Sequence, residues 1–334
     1  MCVYYFKYIT LNINKMGCSN STNKGGGITK VFCDTTKETP LGSFYEFSDG
    51  KIILGTVSGA IMAYTFENGK LNLCFTKAKA HEANVVSFTE IPNQILVSVS
   101  TDATTKLWEL QDENLHLIHT ITDHSKIISK VITLHTFNQF LSCSIDSTLR
   151  LYSAEHPFKP VKTLWEENSL ISVIQLSNEN KDKIVCTGAK FENGNKPFIS
   201  IWNVSTYEKE HMFQGNDKFM PIFLLELPNG NVAISTKTSV VVADPQTFQM
   251  IAEINEPKTE NEMPTGICLF DSSYIVYICN GRVVKVSLGN YQIKATGKKI
   301  FDNKSTIFSI RNGNFLIVNK GQGIVVMNYI EEDN

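Results

Sequence analysis

Short apolar runs alternate with polar turns along most of the chain, and the runs recur. Seven β-rich segments, at 61–66, 105–110, 149–154, 199–204, 239–244, 282–288 and 323–329, begin 44, 44, 50, 40, 43 and 41 residues apart. Each follows another apolar segment, at 52–57, 95–100, 140–145, 184–188, 232–236, 274–279 and 315–319. Before those come 42–47, 85–91, 128–134, 170–176, 222–227, 266–270 and 306–310. A polar-alternating fourth segment follows the first six, as at 71–76 and 115–121. Turn residues such as Ser48-Asp49-Gly50, Pro228-Asn229-Gly230 and Asn280-Gly281 separate them. No stretch sustains helical periodicity over three turns. Four short strands per period of about 43 residues predict an all-β fold, a β-propeller of seven blades with four antiparallel strands in each. The last repeat lacks a fourth segment, and a spare strand candidate at 28–35 precedes the first. The expectation is that this N-terminal strand completes the last blade and closes the ring. The organisation read here is a disordered leader at 1–27, the propeller at 28–330 and an acidic tail at 331–334.

The second repeat contains His81, Ser100-Thr101-Asp102 and Lys106-Leu107-Trp108-Glu109. The third contains His124, Ser144-Ile145-Asp146 and Leu149-Arg150-Leu151-Tyr152, with Tyr152 in the Trp place. The fourth retains Ile201-Trp202-Asn203. In these residues the chain resembles the WD-repeat (WD40) family of β-propellers, over about residues 28–330. The remaining repeats keep only the apolar pattern and the turns. The resemblance implies a structural network in each well-formed repeat. The Asp of a tight turn accepts a hydrogen bond from the His that opens the repeat, and a Ser or Thr hydroxyl links that His to the indole. His81, Ser100, Asp102, Trp108, His124, Ser144, Asp146, Tyr152 and Trp202 are its expected members. A buried network of this kind must be fully satisfied or it costs stability.

Charge changes the picture by exclusion. The 31 Lys+Arg and 33 Asp+Glu leave a net charge of −2. Only Arg150, Arg282 and Arg311 are arginines, the preferred fork for phosphates and base edges, so no nucleic-acid partner is expected. The eight cysteines contain no C-x-x-C pair and read as reduced thiols of an intracellular protein. No apolar run reaches the roughly 18 residues of a membrane span.

Ser100, Asp102 and His81 have the residue types of a hydrolase triad. The same spacing recurs at Ser144, Asp146 and His124, however, and fold-bearing networks repeat where catalytic sites are singular. There is no G-x-S-x-G elbow. His116 and His119 lie three apart on an extended strand and so face opposite sides, which argues against a shared metal. Acidic pairs such as Glu166-Glu167 read as solvated turn residues. No catalytic residue, metal or cofactor is expected.

Near the N-terminus, Met16-Gly17-Cys18-Ser19-Asn20-Ser21 matches the N-myristoylation pattern, with Cys18 placed for palmitoylation. The pattern operates only if Gly17 becomes the N-terminal residue, through a start at Met16 or removal of the first fifteen residues. The alternative is an internal Met-Gly-Cys in a leader.

These observations lead to a non-catalytic scaffold or adaptor that binds a protein or peptide on a propeller face, itself monomeric or a subunit of a larger complex, and cytoplasmic. Loops entering the innermost strands and the long fourth-repeat insertion supply the candidate contacts: Glu82, Asn84, Lys126, Lys190, Phe191, Asn193, Asn195, Phe219 and Lys304. Two alternatives remain. One is a membrane-associated adaptor acylated at Gly17 and Cys18. The other is a propeller enzyme of the hydrolase or lyase type, which would need convergent His, Asp or Glu residues around the central channel.

Overall fold

A computed structural model describes residues 27–34, 40–67, 70–177, 180–190, 196–215, 220–247, 249–255, 264–279, 281–296, 305–310, 314–319 and 323–330. The strands run in chain order. β1 is Gly27–Asp34. The first blade comprises β2 (Pro40–Glu46), β3 (Ile52–Thr56), β4 (Ile61–Glu67) and β5 (Lys70–Lys77). The second comprises β6 (Val85–Ile91), β7 (Ile95–Ser100), β8 (Thr105–Gln111) and β9 (Asn114–Ile121). The third comprises β10 (Ile128–Leu134), β11 (Gln139–Ser144), β12 (Thr148–Ser153) and β13 (Pro160–Trp165). The fourth comprises β14 (Ser169–Gln175), β15 (Lys183–Lys190), β16 (Lys196–Asn203) and β17 (Glu208–Gln214). The fifth comprises β18 (Phe223–Glu226), β19 (Val232–Ser235), β20 (Val240–Ala243) and β21 (Met250–Ile254). The sixth comprises β22 (Thr265–Leu269), β23 (Tyr274–Cys279), β24 (Arg282–Ser287) and β25 (Ile293–Thr296). Last come β26 (Ser305–Ile310), β27 (Asn314–Asn319) and β28 (Gly323–Ile330).

The expectation of seven blades is corrected in one respect: six blades, not seven, are built from four consecutive strands. The remaining four-stranded sheet is a composite of order β1-β28-β27-β26. Three consecutive strands leave the edge of β28 unpaired, and β1 hydrogen-bonds there in antiparallel register from Gly27↔Ile330 to Asp34↔Ile324. β1 begins at Gly27 and ends at Asp34, one residue before the expected 28–35 at each end. The first strands of successive sheets pack side by side from β2 through β6, β10, β14, β18 and β22 to β26, and β26 also touches β2. This arrangement is a β-propeller.

The sequence explains the layering. The second and third strands of a blade are buried on both faces, so they read as continuous apolar runs: Ile52–Thr56, Ile95–Ser100 and Val240–Ala243 are buried throughout. Fourth strands lie outermost and are mostly exposed or half-buried, as in β9. The core is accordingly a series of clusters between blades. One joins the third and fourth blades through Leu141, Cys143, Leu170, Ile184, Cys186, Phe198 and Trp202. Another joins the fifth and sixth through Val240, Val242, Ile275, Tyr277 and Val284.

Hydroxyls tie neighbouring first strands together. Ser43 Oγ donates to Val85 O at 2.8 Å, Ser129 Oγ to Leu170 O at 2.8 Å and Thr265 Oγ1 to Ser305 O at 2.5 Å. Thr89 and Thr133 share a hydrogen bond of 2.7 Å between the second and third blades. At the opposite end of these strands, carboxylates clamp the neighbouring turn. Glu90 accepts from the Ser48 amide at 2.8 Å, and Glu226 accepts from the Ser177 amide at 2.8 Å.

Candidate binding face

The links before β6, β10 and β14 each carry a buried polar side chain four residues ahead of the position where the following first strand bulges, Val85, Ile128 or Leu170. In the link before β6 this is His81, 1% exposed. Its Nδ1 is 3.2 Å from Asp102 Oδ2 and 2.9 Å from Thr104 Oγ1; its Nε2 is 2.7 Å from Ser98 Oγ. The Trp108 indole N–H donates to the same Ser98 oxygen at 2.8 Å. One assignment of protons satisfies every group: indole N–H to Ser98, Ser98 O–H to Nε2, and Nδ1–H to Asp102. It requires a neutral imidazole. Burial lowers the His81 pKa, and this outweighs the opposing pull of the Asp102 carboxylate. For Asp102, burial alone would raise the pKa. Hydrogen bonds from His81, Thr104 and the Glu82 amide outweigh it and hold the carboxyl well below its usual range.

The link before β10 repeats the pattern. His124 Nδ1 is 2.9 Å from Asp146 Oδ2 and its Nε2 is 2.7 Å from Ser142 Oγ. Asp146 also accepts from Thr148 at 2.6 Å and from the Ser125 amide at 3.0 Å, and it too is held low against the effect of burial. Two assignments from the sequence are corrected. Ser100 and Ser144 do not touch the imidazoles; Ser98 and Ser142, two residues earlier on β7 and β11, reach the rings instead. Ser100 Oγ and Ser144 Oγ instead accept from the Asp102 and Asp146 amides at 3.0 Å and shape the turns. Tyr152 packs in the Trp place, stacked on Phe140 at 5.1 Å, but its buried hydroxyl finds no partner of acceptable geometry. Burial pushes that phenol's pKa above its ordinary value.

The fourth blade solves the same problem with different chemistry. Glu166 occupies the link before β14, at the position of His81 and His124, and is 6% exposed. Its Oε1 accepts from the Trp202 indole at 2.6 Å and from Ser200 Oγ at 2.5 Å; its Oε2 pairs with Lys209 at 2.8 Å. Lys209 also lies over the Trp202 ring at 5.1 Å. The reading of Glu166 as a solvated turn residue is therefore corrected. The missed signal is positional: Glu166 stands four residues before Leu170, as His81 stands before Val85 and His124 before Ile128.

These side chains spend their polar atoms on holding loops. The Thr101 amide donates to Asn84 O at 3.0 Å, Ile145 N to Ile127 O at 3.0 Å and Glu166 N to Ser147 O at 2.9 Å. Ser169 Oγ donates to Ile145 O at 3.1 Å. The links before β6, β10 and β14 are thus hydrogen-bonded to the second-to-third-strand turns of the second and third blades, on one face of the propeller. Of the contact residues expected from the sequence, Glu82, Lys126 and Lys190 stand exposed on this face. Asn84 is nearly buried, at 9% exposed. Phe191, Asn193, Asn195, Phe219, Lys304, Gly17 and Cys18 lie outside the described residues. Trp165, which the sequence reading passed over, is 65% exposed at the edge of the same face. Among the described residues, no group of three or more His, Cys, Asp or Glu side chains converges as a metal site would require, and no helix is long and apolar enough to cross a membrane. No protein-family model matches the chain, and a comparison with curated proteins finds no match.

Proposed function

We propose that this protein is a non-catalytic interaction platform, a scaffold or adaptor that holds a protein or peptide partner on the face carrying the His81, His124 and Glu166 links. The observation behind this reading is the use to which the chemistry is put. The three residues that resemble a triad recur in two blades, and each hydrogen bond they make closes a loop rather than opening a nucleophile to solvent. A β-propeller commonly serves as a protein-interaction scaffold, and the WD-repeat resemblance of the second and third blades points the same way. The test is affinity capture with cross-linking from native cells. The reading expects a reproducible partner that is captured above the background of an unrelated propeller. A wild-type bait that captures nothing above an unrelated propeller would overturn it.

A second reading concerns location. The Met16-Gly17-Cys18-Ser19-Asn20-Ser21 sequence supports an adaptor tethered to a cytoplasmic membrane surface by two acyl chains, since one myristoyl chain alone binds only marginally. Intact-mass measurement of native protein is expected to show a chain starting at Gly17 with acyl mass added. An unmodified chain that starts at Met1 would end this reading.

A further inference from the structure

Between the third and fourth blades the loop face carries an apolar anchor and four lysines, Lys126, Lys130, Lys190 and Lys196, that make no ion pair among the described residues. Trp165, at the end of β13, is two-thirds exposed although it pairs with buried Thr148 across the sheet. The amide after it is fixed to Ser147 O, so the indole is presented from a held backbone. Lys126 is exposed in the neighbouring link, whose Ile127 carbonyl is hydrogen-bonded to the same turn. Lys190 and Lys196 are both exposed, and they sit directly opposite each other across β15 and β16. Like charges in that register repel and destabilise a strand pair. Lys130 lies two residues into first strand β10, partly buried, and makes no ion pair among the described residues. The titratable group facing it is the Cys143 thiol, and burial lowers the lysine's pKa. A desolvated cation without a counter-charge is costly unless a ligand supplies one. Four carboxylates lie in the described loops: Asp146 and Glu166 are held in the networks with His124 and Lys209, and two stand outside them. Asp123 lies against Tyr152, and Glu167 is exposed.

We infer that this face of the third and fourth blades binds an acidic peptide segment, with Trp165 packing on an apolar side chain and Lys126, Lys130, Lys190 and Lys196 pairing with its carboxylates. The inference rests on the platform reading and names the chemistry of its partner. Large exposed aromatics are the usual anchors of such contacts, and rim lysines steer acidic partners to them. Peptide is favoured over nucleic acid because the exposed cations among the described residues of this face are lysines beside a single indole, and Arg150, partly buried, turns its guanidinium Nε to Thr148 Oγ1.

The experiment uses the full chain and fluorescence anisotropy. The probes are a pool of fluorescein-labelled twelve-residue peptides bearing four Asp or Glu around one Leu or Phe, the same pool with Lys in place of the acids, and a single-stranded uridine oligonucleotide. Binding of the acidic pool alone is expected, weakening as salt rises. Trp165→Ala and the triple variant Lys126→Glu, Lys190→Glu, Lys196→Glu should each weaken it about tenfold or more. Lys159→Glu, exposed at the opposite end of the third blade, should leave it unchanged. Because Trp165 is mostly exposed, Trp165→Ala should keep the wild-type melting temperature, and Trp165→Phe should keep most of the binding. Equal affinity for the acidic and basic pools, tighter binding of the oligonucleotide, or an effect of Lys159→Glu matching the triple variant would each overturn the inference. Partner capture separates the two levels. If native partners remain bound to the triple variant, the acidic-peptide site is wrong and the platform stands; if the wild type captures none, the platform itself is wrong.

Discussion

A single hydroxyl, Ser98 Oγ, accepts the Trp108 indole and reaches His81, and its counterpart Ser142 Oγ reaches His124. Ser98→Ala leaves a buried indole N–H and a buried ring nitrogen unpaired, and should lower unfolding free energy by about 1–3 kcal/mol in urea titration. Asp102→Ala should cost a similar amount by releasing His81, Thr104 and the Glu82 amide together; a wild-type denaturation midpoint would contradict its place in the network. Glu166 holds an indole, a hydroxyl and an ammonium. Glu166→Ala should therefore be costlier, about 2–4 kcal/mol, with part of the loss arising from the stranded Lys209. These networks also set a pH response. A histidine held below its ordinary 6.5 is neutral in the folded state, so its contribution is complete above that value and is lost as pH falls through the folded one. Depressed Asp102 and Asp146 act in the same direction below their ordinary 3.8. The urea midpoint should therefore be lower at pH 5 than at pH 7.5, and a midpoint that rises on acidification would refute the neutral assignment of His81.

Strands meet their neighbours through close backbone approaches that tolerate no added atoms. Gly55, on β3, lies where a Cβ would come within 2.6 Å of Val85 O, and it also faces the Ser43 hydroxyl that donates to that carbonyl. Gly55→Ala must push the first and second blades apart or break that hydrogen bond, and should cost about 1–3 kcal/mol. Gly188 on β15 is equally confined, with the Phe198 ring 2.6 Å from where a Cβ would stand. At this scale the strand pattern was legible in the chain, because buried second and third strands write unbroken apolar runs while outer strands mix polar and apolar positions. What the pattern did not reveal was which hydroxyl of a strand faces the histidine. Ser98 and Ser100 both lie on β7 and both are fully buried. Bulges such as that between Val85 and Ser87 set the strand register locally, and sequence spacing alone does not report them.

Across the whole molecule, six continuous blades and one composite sheet share a circular contact order, and the composite sheet depends on β1. Removing residues 1–34 exposes the edge of β28. The shortened protein should show a lower melting temperature and self-association in sedimentation velocity; an unchanged monomer would mean that β1 is dispensable for closure. The chain alone determined the all-β class, the repeat and the strand order within each blade, because hydrophobic period and turn chemistry are local properties; the His81–Asp102 and His124–Asp146 pairs came from what the WD-repeat resemblance implies. Tertiary structure decided the rest. The burial of Glu166 depends on Trp202, Ser200 and Lys209, which lie 34 to 43 residues farther along the chain. The cationic loops around Trp165 come together only when two blades pack side by side. Contacts at that separation are set by how whole sheets stack, and no run of neighbouring residues encodes the distance between them.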